Sequence, residues 1–298
     1  MNNSDYHFQI DLERLIKKGM KIYDPHSFQA LKEEDRFFLS GNDRLFYALY
    51  ATRNLKHTIF SSNEIISKIG FQVNTAHVII SGKMNAFDGK NNFKLGAGSV
   101  IGLCEGIAGF NHYFTVTAEE PVHTHEIPFQ NEEYSLFEIN QGIKGIFRSI
   151  ISRTLSTNKV IEKLKDSDPK NIDEQNILNF DSKLFKENYN KNNEKLFSFG
   201  EIADNLHYIT SGKVALFMEN ESKPFVELNE GEIIGEMCFL EFGRRTMTSI
   251  SIGEVNTLSL SGTNLKKLLI NHSLGIEIIF EAMLLQMHMM NTLRASVK

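Results

Sequence analysis

Glu236 follows Gly235 directly, and Arg245 stands nine residues after Glu236. The segment between them runs from Met237-Cys238-Phe239 to Gly243, so glycines bracket it and its backbone N–H groups can be presented to a ligand. A guanidinium fork pairs with phosphate oxygens through two parallel hydrogen bonds. Free N–H groups at the start of a short helical turn favour the same anion. A carboxylate repels a phosphate but accepts a hydrogen bond from a sugar hydroxyl. Gly235, Glu236, Met237, Cys238, Phe239 and Arg245 therefore suit a ligand that joins a phosphate to a sugar. Thr246 adds a hydroxyl beside the arginine. Strand alternation sends Arg244 away from Arg245, toward the surface.

Such residues need a scaffold, and the chain carries its pattern twice. The run from Phe199 to Lys213 has a partner from Ile69 to Lys83: Gly, His, Ile and the triplet Ser-Gly-Lys recur in register, 130 residues apart. Further on, Gly98-Ser99-Val100-Ile101-Gly102 matches Gly231-Glu232-Ile233-Ile234-Gly235, now 133 residues apart, so one loop differs by three residues. Each unit reads as strands followed by a helical tail. In the second unit, strands are expected over Leu206–Ile209 and Val214–Met218 around a Ser-Gly-Lys turn, then over Phe225–Leu228 and Thr248–Leu260. Ile276, Phe280, Met283, Met287 and Met290 then form one apolar helical stripe, and Ile143, Phe147, Ile150, Thr154, Thr157, Ile161 and Leu164 form another. The Met-rich stripe suits core packing, a cap over a bound ligand, or the seam of a homodimer built through the long helices. Asp166-Ser167-Asp168-Pro169 reads as a linker. The expected divisions are a helical extension at 1–41, a first domain at 42–165, a linker at 166–174 and a second domain at 175–298.

The full chain has 298 residues, 41% apolar and 23% charged, with a net charge of −5. Those values suit a folded protein of about two domains, and the acidic balance argues against a DNA-binding face. No apolar run reaches a membrane-spanning length, so no membrane partner is expected. The start lacks a signal-peptide pattern. Two cysteines, Cys104 and Cys238, make no disulfide framework. They fall in matching parts of the two units, and a cytoplasmic location is expected.

Both units resemble the cyclic nucleotide-binding domain of catabolite activator proteins, kinase regulatory subunits and nucleotide-gated channels. The resemblance rests on the phosphate-binding cassette at Gly235, Glu236, Arg245 and Thr246, supported by Gly200-Glu201 and Ser211-Gly212-Lys213. It covers 42–165 and 175–298. It implies a mainly β fold with helices: two jelly-roll-like β-rolls, each flanked by helices, with a cyclic nucleotide inside a roll. The implied ligand is cAMP or cGMP, and no cofactor is implied. Arg245 and the Gly235–Phe239 amides would take the phosphate, and Glu236 the ribose. In catabolite activator-like regulators a helix-turn-helix follows the last helix. The sequence ends at Lys298 without one, so output is expected through a protein effector. One alternative is an interaction scaffold with non-binding rolls. Another is an atypical transcription regulator reading DNA with Arg14, Lys17, Lys18 and Lys21.

The first unit departs from the pattern. Leu103 stands at the glutamate position and His112 at the arginine position. A histidine, neutral near pH 7, does not replace a guanidinium, so this unit reads as a structural or docking copy. Glu105 lies near but out of register. His123 and His125 share a strand face and could chelate zinc, although exposed strand histidines explain them as well, and no metal is expected. No nucleophile elbow, phosphate loop or zinc-protease motif occurs, and the chain is not read as an enzyme.

Overall fold

A computed structural model describes residues 6–9, 51–131, 141–162, 184–239, 244–270 and 274–297. The expected extension at 1–41, apart from residues 6–9, and the linker at 166–174 lie outside the described residues. The chain divides into two compact units. One comprises 1–135, 151–172 and 275–298; the other comprises 136–150 and 173–274.

Among the described residues, the first unit holds eight strands in two antiparallel sheets. The strands are β1 (His57–Phe60), β2 (Ile65–Ser67), β3 (Ala76–Ser81), β4 (Met84–Phe87), β5 (Asn92–Leu95), β6 (Val100–Ile101), β7 (Thr115–Ala118) and β8 (Val122–Ile127). The sheet orders are β1-β8-β3-β6 and β2-β7-β4-β5. A five-residue helix, α1 (Leu103–Ile107), follows β6; further along the chain comes α2 (Gln141–Glu162), whose residues 141–150 fall in the second unit and 151–162 in the first. Within α2, Ile143, Phe147, Ile150 and Thr154 of the expected stripe are buried.

The second unit builds the same roll with fewer breaks. Its strands are β9 (Phe185–Asn190), β10 (Lys195–Phe197), β11 (Asn205–Phe217), β12 (Val226–Asn229), β13 (Ile233–Ile234) and β14 (Thr248–Ser261). β11 pairs with β14 along its whole length, β10 and β9 add to β14, and β12 and β13 add to β11. The pattern reproduces the first unit once β3 and β4 are joined into one strand and β7 and β8 into another. Bulges recur too. Register shifts between Ile79 and Ser81, and again between Ile209 and Ser211. It shifts between Ile65 and Ser67, and again between Lys195 and Phe197. A bulge twists and bends its strand, so matching bulges curl both sheets at matching points.

The Ser-Gly-Lys triplet behaves differently in the two units. β3 ends at Ser81, and Gly82-Lys83 separates it from β4, as a turn would. Ser211-Gly212-Lys213 does not end a strand; β11 runs through it with a second register shift between Ser211 and Lys213. Gly212 has φ +88°, and a Cβ there would sit 2.3 Å from the Glu254 carbonyl oxygen. Two strands around a turn are thus one bulged strand, because the glycine admits the close approach of β14.

The second roll's core gathers Phe197, Ile209, Val214, Leu216, Leu228, Ile234 and Val255. After β14 come α3 (Gly262–Ile270) and α4 (Leu274–Val297). All five residues of the expected α4 stripe are buried, and so are Ile278, Ala282, Leu284, Leu285, Met289 and Leu293 on its other faces. A helix apolar all round is a core element, and α4 belongs to the first unit from Gly275 onward.

Candidate functional site

The repeat places the cassette. β13 ends at Ile234, Gly235 turns the chain at φ +81°, and Glu236–Phe239 form one turn of 3-10 helix. In the first roll β6 ends at Ile101, Gly102 turns at φ +85°, and α1 begins. The return segments also match: the Gly200 amide donates to the Arg245 carbonyl at 2.8 Å, and the Gly70 amide to the His112 carbonyl at 2.9 Å. His112 is therefore the spatial counterpart of Arg245, as counting along the sequence places it.

Arg245 is 4% exposed and Glu236 is 1% exposed, so the cassette's two charged groups are both inside the second roll. Met237 and Cys238 are buried; Gly235, Phe239 and Thr246 are half-buried. Arg244 is exposed and donates to the Gly200 carbonyl at 2.7 Å.

Three residues that the motif does not name hold the guanidinium. Nη1 of Arg245 donates to the Asn205 carbonyl at 2.7 Å and to the Gly235 carbonyl at 3.0 Å. Nη2 donates to Asn205 Oδ1 at 2.8 Å. The guanidinium carbon lies 4.2 Å from the centre of the Phe197 ring, a cation–π contact. His207 stacks on Phe197 at 6.0 Å between ring centres, and its Nε2 lies 3.5 Å from Arg245 Nη2. Gly235 is required here for space as well as for φ: a Cβ would fall 2.1 Å from Arg245 Nη1. His207 recurs as His77 in the repeat, which is the one sequence signal for this layer. Asn205 and Phe197 carry none.

Burial lowers the Arg245 pKa, while the Cys238 thiol and the carboxylates of Glu201, Glu236 and Asp204 raise it. The group stays charged, as arginines do in proteins. Burial, then the Arg245 charge, lowers the His207 pKa to about 4. His77 is lowered to about 4 by burial, with Glu126 opposing, and His125 to about 4 by burial and His57. These histidines take up protons in the unfolded chain near 6.5 but resist them when folded. Stability is therefore expected to fall as pH drops from about 6.5 to 4. Urea midpoints at pH 7 and pH 4.5 should differ, and His207→Gln should flatten the slope for the second roll. An unchanged slope in that variant would remove His207 from the account.

The first-roll features take other positions. Leu103 is fully buried, and His112 is half-buried with its pKa lowered by burial. His125 is not an exposed strand histidine. It is buried, with Nδ1 2.8 Å from the hydroxyl of the buried Thr52. His123 Nδ1 lies 3.0 Å from His57 Nε2. Among the described residues, no three His, Cys, Asp or Glu side chains are arranged to hold a metal. Cys104 and Cys238 are free and buried. Among the described residues, no helix is long and apolar enough to cross a membrane. A groove on the second roll, lined by Glu187, Tyr189, Ser211 and Asn256 among others, shares no residue with the cassette.

Residues 187–272 match the model of the family described as the cyclic nucleotide-binding domain. The matched stretch lies within the second roll, and the ligand class of that family is cAMP or cGMP. A search of curated proteins returns no match. Among solved structures, the chain is similar to the regulatory subunit of a cAMP-independent protein kinase A from Trypanosoma brucei. That match has 14% identity and a TM-score of 0.34, and it covers 82% of this chain and 80% of that one. The regulatory domain of Toxoplasma gondii PKA, crystallised with cAMP, matches at 15% identity and a TM-score of 0.26, covering 88% and 94%. The catabolite activator protein of Thermus thermophilus matches at 23% identity and a TM-score of 0.30, covering 32% of this chain and 46% of that one.

Proposed function

We propose that the protein is a cyclic nucleotide sensor that binds one cAMP or cGMP per chain in its second roll and signals through a protein effector. The observation that carries this reading is the burial of Arg245 and Glu236 together inside the roll that matches the family. An arginine is seldom buried unless something inside needs its charge. Here the acceptors are neutral carbonyls of Asn205 and Gly235 and the Asn205 amide oxygen. A phosphate oxygen is a stronger acceptor than any of them, because both partners are then ionised. The nucleotide phosphate takes the guanidinium and the amides of Gly235–Phe239, and the ribose 2′-hydroxyl donates to Glu236. The first roll, with Leu103 and His112, takes no nucleotide and serves structure or relay.

Titration calorimetry of the full chain with cAMP and with cGMP tests the reading. The expected result is one site per chain for at least one of them. No heat with either nucleotide would end the proposal. The Glu236 assignment predicts a separate result. A 2′-deoxy analogue lacks the hydroxyl that would donate to the buried carboxylate, so it should bind roughly 10- to 100-fold more weakly. Equal affinity for the two sugars would move the ribose elsewhere.

A further inference from the structure

α4 carries one polar side chain in its buried middle. Gln286 is 1% exposed among Met283, Leu284, Leu285 and Met287. An amide placed there has no water to bond, so both ends need partners. Its Oε1 accepts from the Cys104 backbone N–H at 2.8 Å, and its Nε2 donates to Glu105 Oε2 at 2.6 Å. Cys104 and Glu105 are themselves buried in the first turn of α1. α1 follows Gly102 as the 3-10 helix follows Gly235, so Cys104 corresponds to Met237 and Glu105 to Cys238. The amide that Gln286 caps thus belongs to the stretch that, in the second roll, is offered to a phosphate. Burial raises the Glu105 pKa, and the Gln286 bond opposes that.

The same helix is tied by the chain to the second cassette. A Cβ on Gly262, the first residue of α3, would lie 3.0 Å from Phe239 Cε1, so α3 begins in close contact with the end of the cassette. α3 ends at Ile270 and α4 begins at Leu274. Along the chain, α3 of the second unit leads directly to α4, which lies in the first unit from Gly275 onward.

From this we infer that the first roll's cassette is a socket for the chain's own C-terminal helix, and that Gln286 is the clasp whose release reports ligand in the second roll. The side chain does by hydrogen bonding to Cys104 what a ligand would do, so the first roll is self-occupied. A single amide clasp, rather than an apolar contact, gives α4 a discrete docked state. Leaving it strands Cys104 N–H and the Glu105 carboxyl together, which favours two states over gradual drift. The clasp stands on the first roll alone; its release by ligand rests on the nucleotide reading above.

Hydrogen exchange of the Cys104 amide in the full chain tests both parts, using wild type, Gln286→Met and Glu105→Gln, each with and without saturating cAMP or cGMP. Gln286→Met keeps volume and removes both bonds, whereas Glu105→Gln keeps an acceptor for Nε2. Without nucleotide, exchange at Cys104 should rise roughly tenfold or more in Gln286→Met, as expected for a lost hydrogen bond, and stay near wild type in Glu105→Gln. Equal exchange in wild type and Gln286→Met would overturn the clasp, provided circular dichroism shows both folded. Should Gln286→Met fail to fold, Gln286→Ala is judged by the same readout, and Glu105→Ala should also speed exchange by loosening the amide. With nucleotide, wild-type exchange at Cys104 should rise toward the Gln286→Met level, and the variant should not respond. Nucleotide that binds by calorimetry yet leaves Cys104 unchanged would overturn the switch. If wild type binds neither nucleotide, the nucleotide reading fails instead, and the nucleotide-free comparison still decides the clasp.

Discussion

Arg245→Ala is expected to weaken cyclic nucleotide binding by roughly 100-fold or more, because a hydrogen bond between charged partners contributes about 1.5–3 kcal/mol and the fork makes two. The substitution also removes the donor that satisfies the Asn205 and Gly235 carbonyls. Some of the loss could therefore arise from a loosened roll rather than from a missing phosphate contact. Arg245→Lys separates the two. A lysine keeps the charge but presents a compact ammonium in place of the planar fork. Affinity should fall in Arg245→Lys by less than in Arg245→Ala, while urea midpoints place both variants relative to wild type. Binding that survives Arg245→Ala unchanged would sink the site assignment, whatever the stability. In wild type, the stoichiometry should be one. A value of two would show that Leu103 and His112 do not disable the first roll.

The parts of this molecule that are legible in sequence are those where backbone geometry demands a residue type. Gly102 and Gly235 both take a left-handed φ before the cassette turn, a conformation costly for other residues. Gly98 and Gly231 do the same before β6 and β13. Such positions survive as matching letters even where charges differ, and so the repeat shows through. The α4 stripe is legible because helical burial needs apolar residues at fixed spacing. What the helix packs with is another matter: Gln286 meets Glu105 across 181 residues of sequence, and no local spacing encodes that. The same limit hides Asn205 and Phe197, whose roles exist only once β10 and β11 lie beside Arg245. The Ser-Gly-Lys triplet misleads for a different reason. A hairpin turn and a bulge both need glycine at positive φ, so Ser211-Gly212-Lys213 satisfies either reading. His125 misleads because alternation marks its face of β8, not whether Thr52 meets it there.

The contrast between the rolls makes Leu103 the second critical position, and there the expected result runs against motif logic. Restoring the family's glutamate with Leu103→Glu should destabilise the first unit rather than create a ribose contact. Leu103 is fully buried, with Cys104 and Glu105 buried beside it. A second carboxylate at that point is an uncompensated buried charge, which costs roughly 3–5 kcal/mol. Its place in the first turn of α1 returns at most about 1 kcal/mol from the helix dipole. The unfolding midpoint of the first unit should fall by about 10 °C. Adding His112→Arg supplies a cation near the new carboxylate and should recover part of that loss, since opposite charges at short range favour the ionised pair. Recovery of stability would still not bring a second nucleotide, because Gln286 Oε1 continues to hold the Cys104 amide. Differential scanning calorimetry and a nucleotide titration of the single and double variants decide between the two accounts. A stable Leu103→Glu chain that binds two nucleotides would mean that two charges alone separate the rolls. A destabilised one that still binds a single nucleotide would mean that the first roll has been rebuilt around its own helix, from the interior outward.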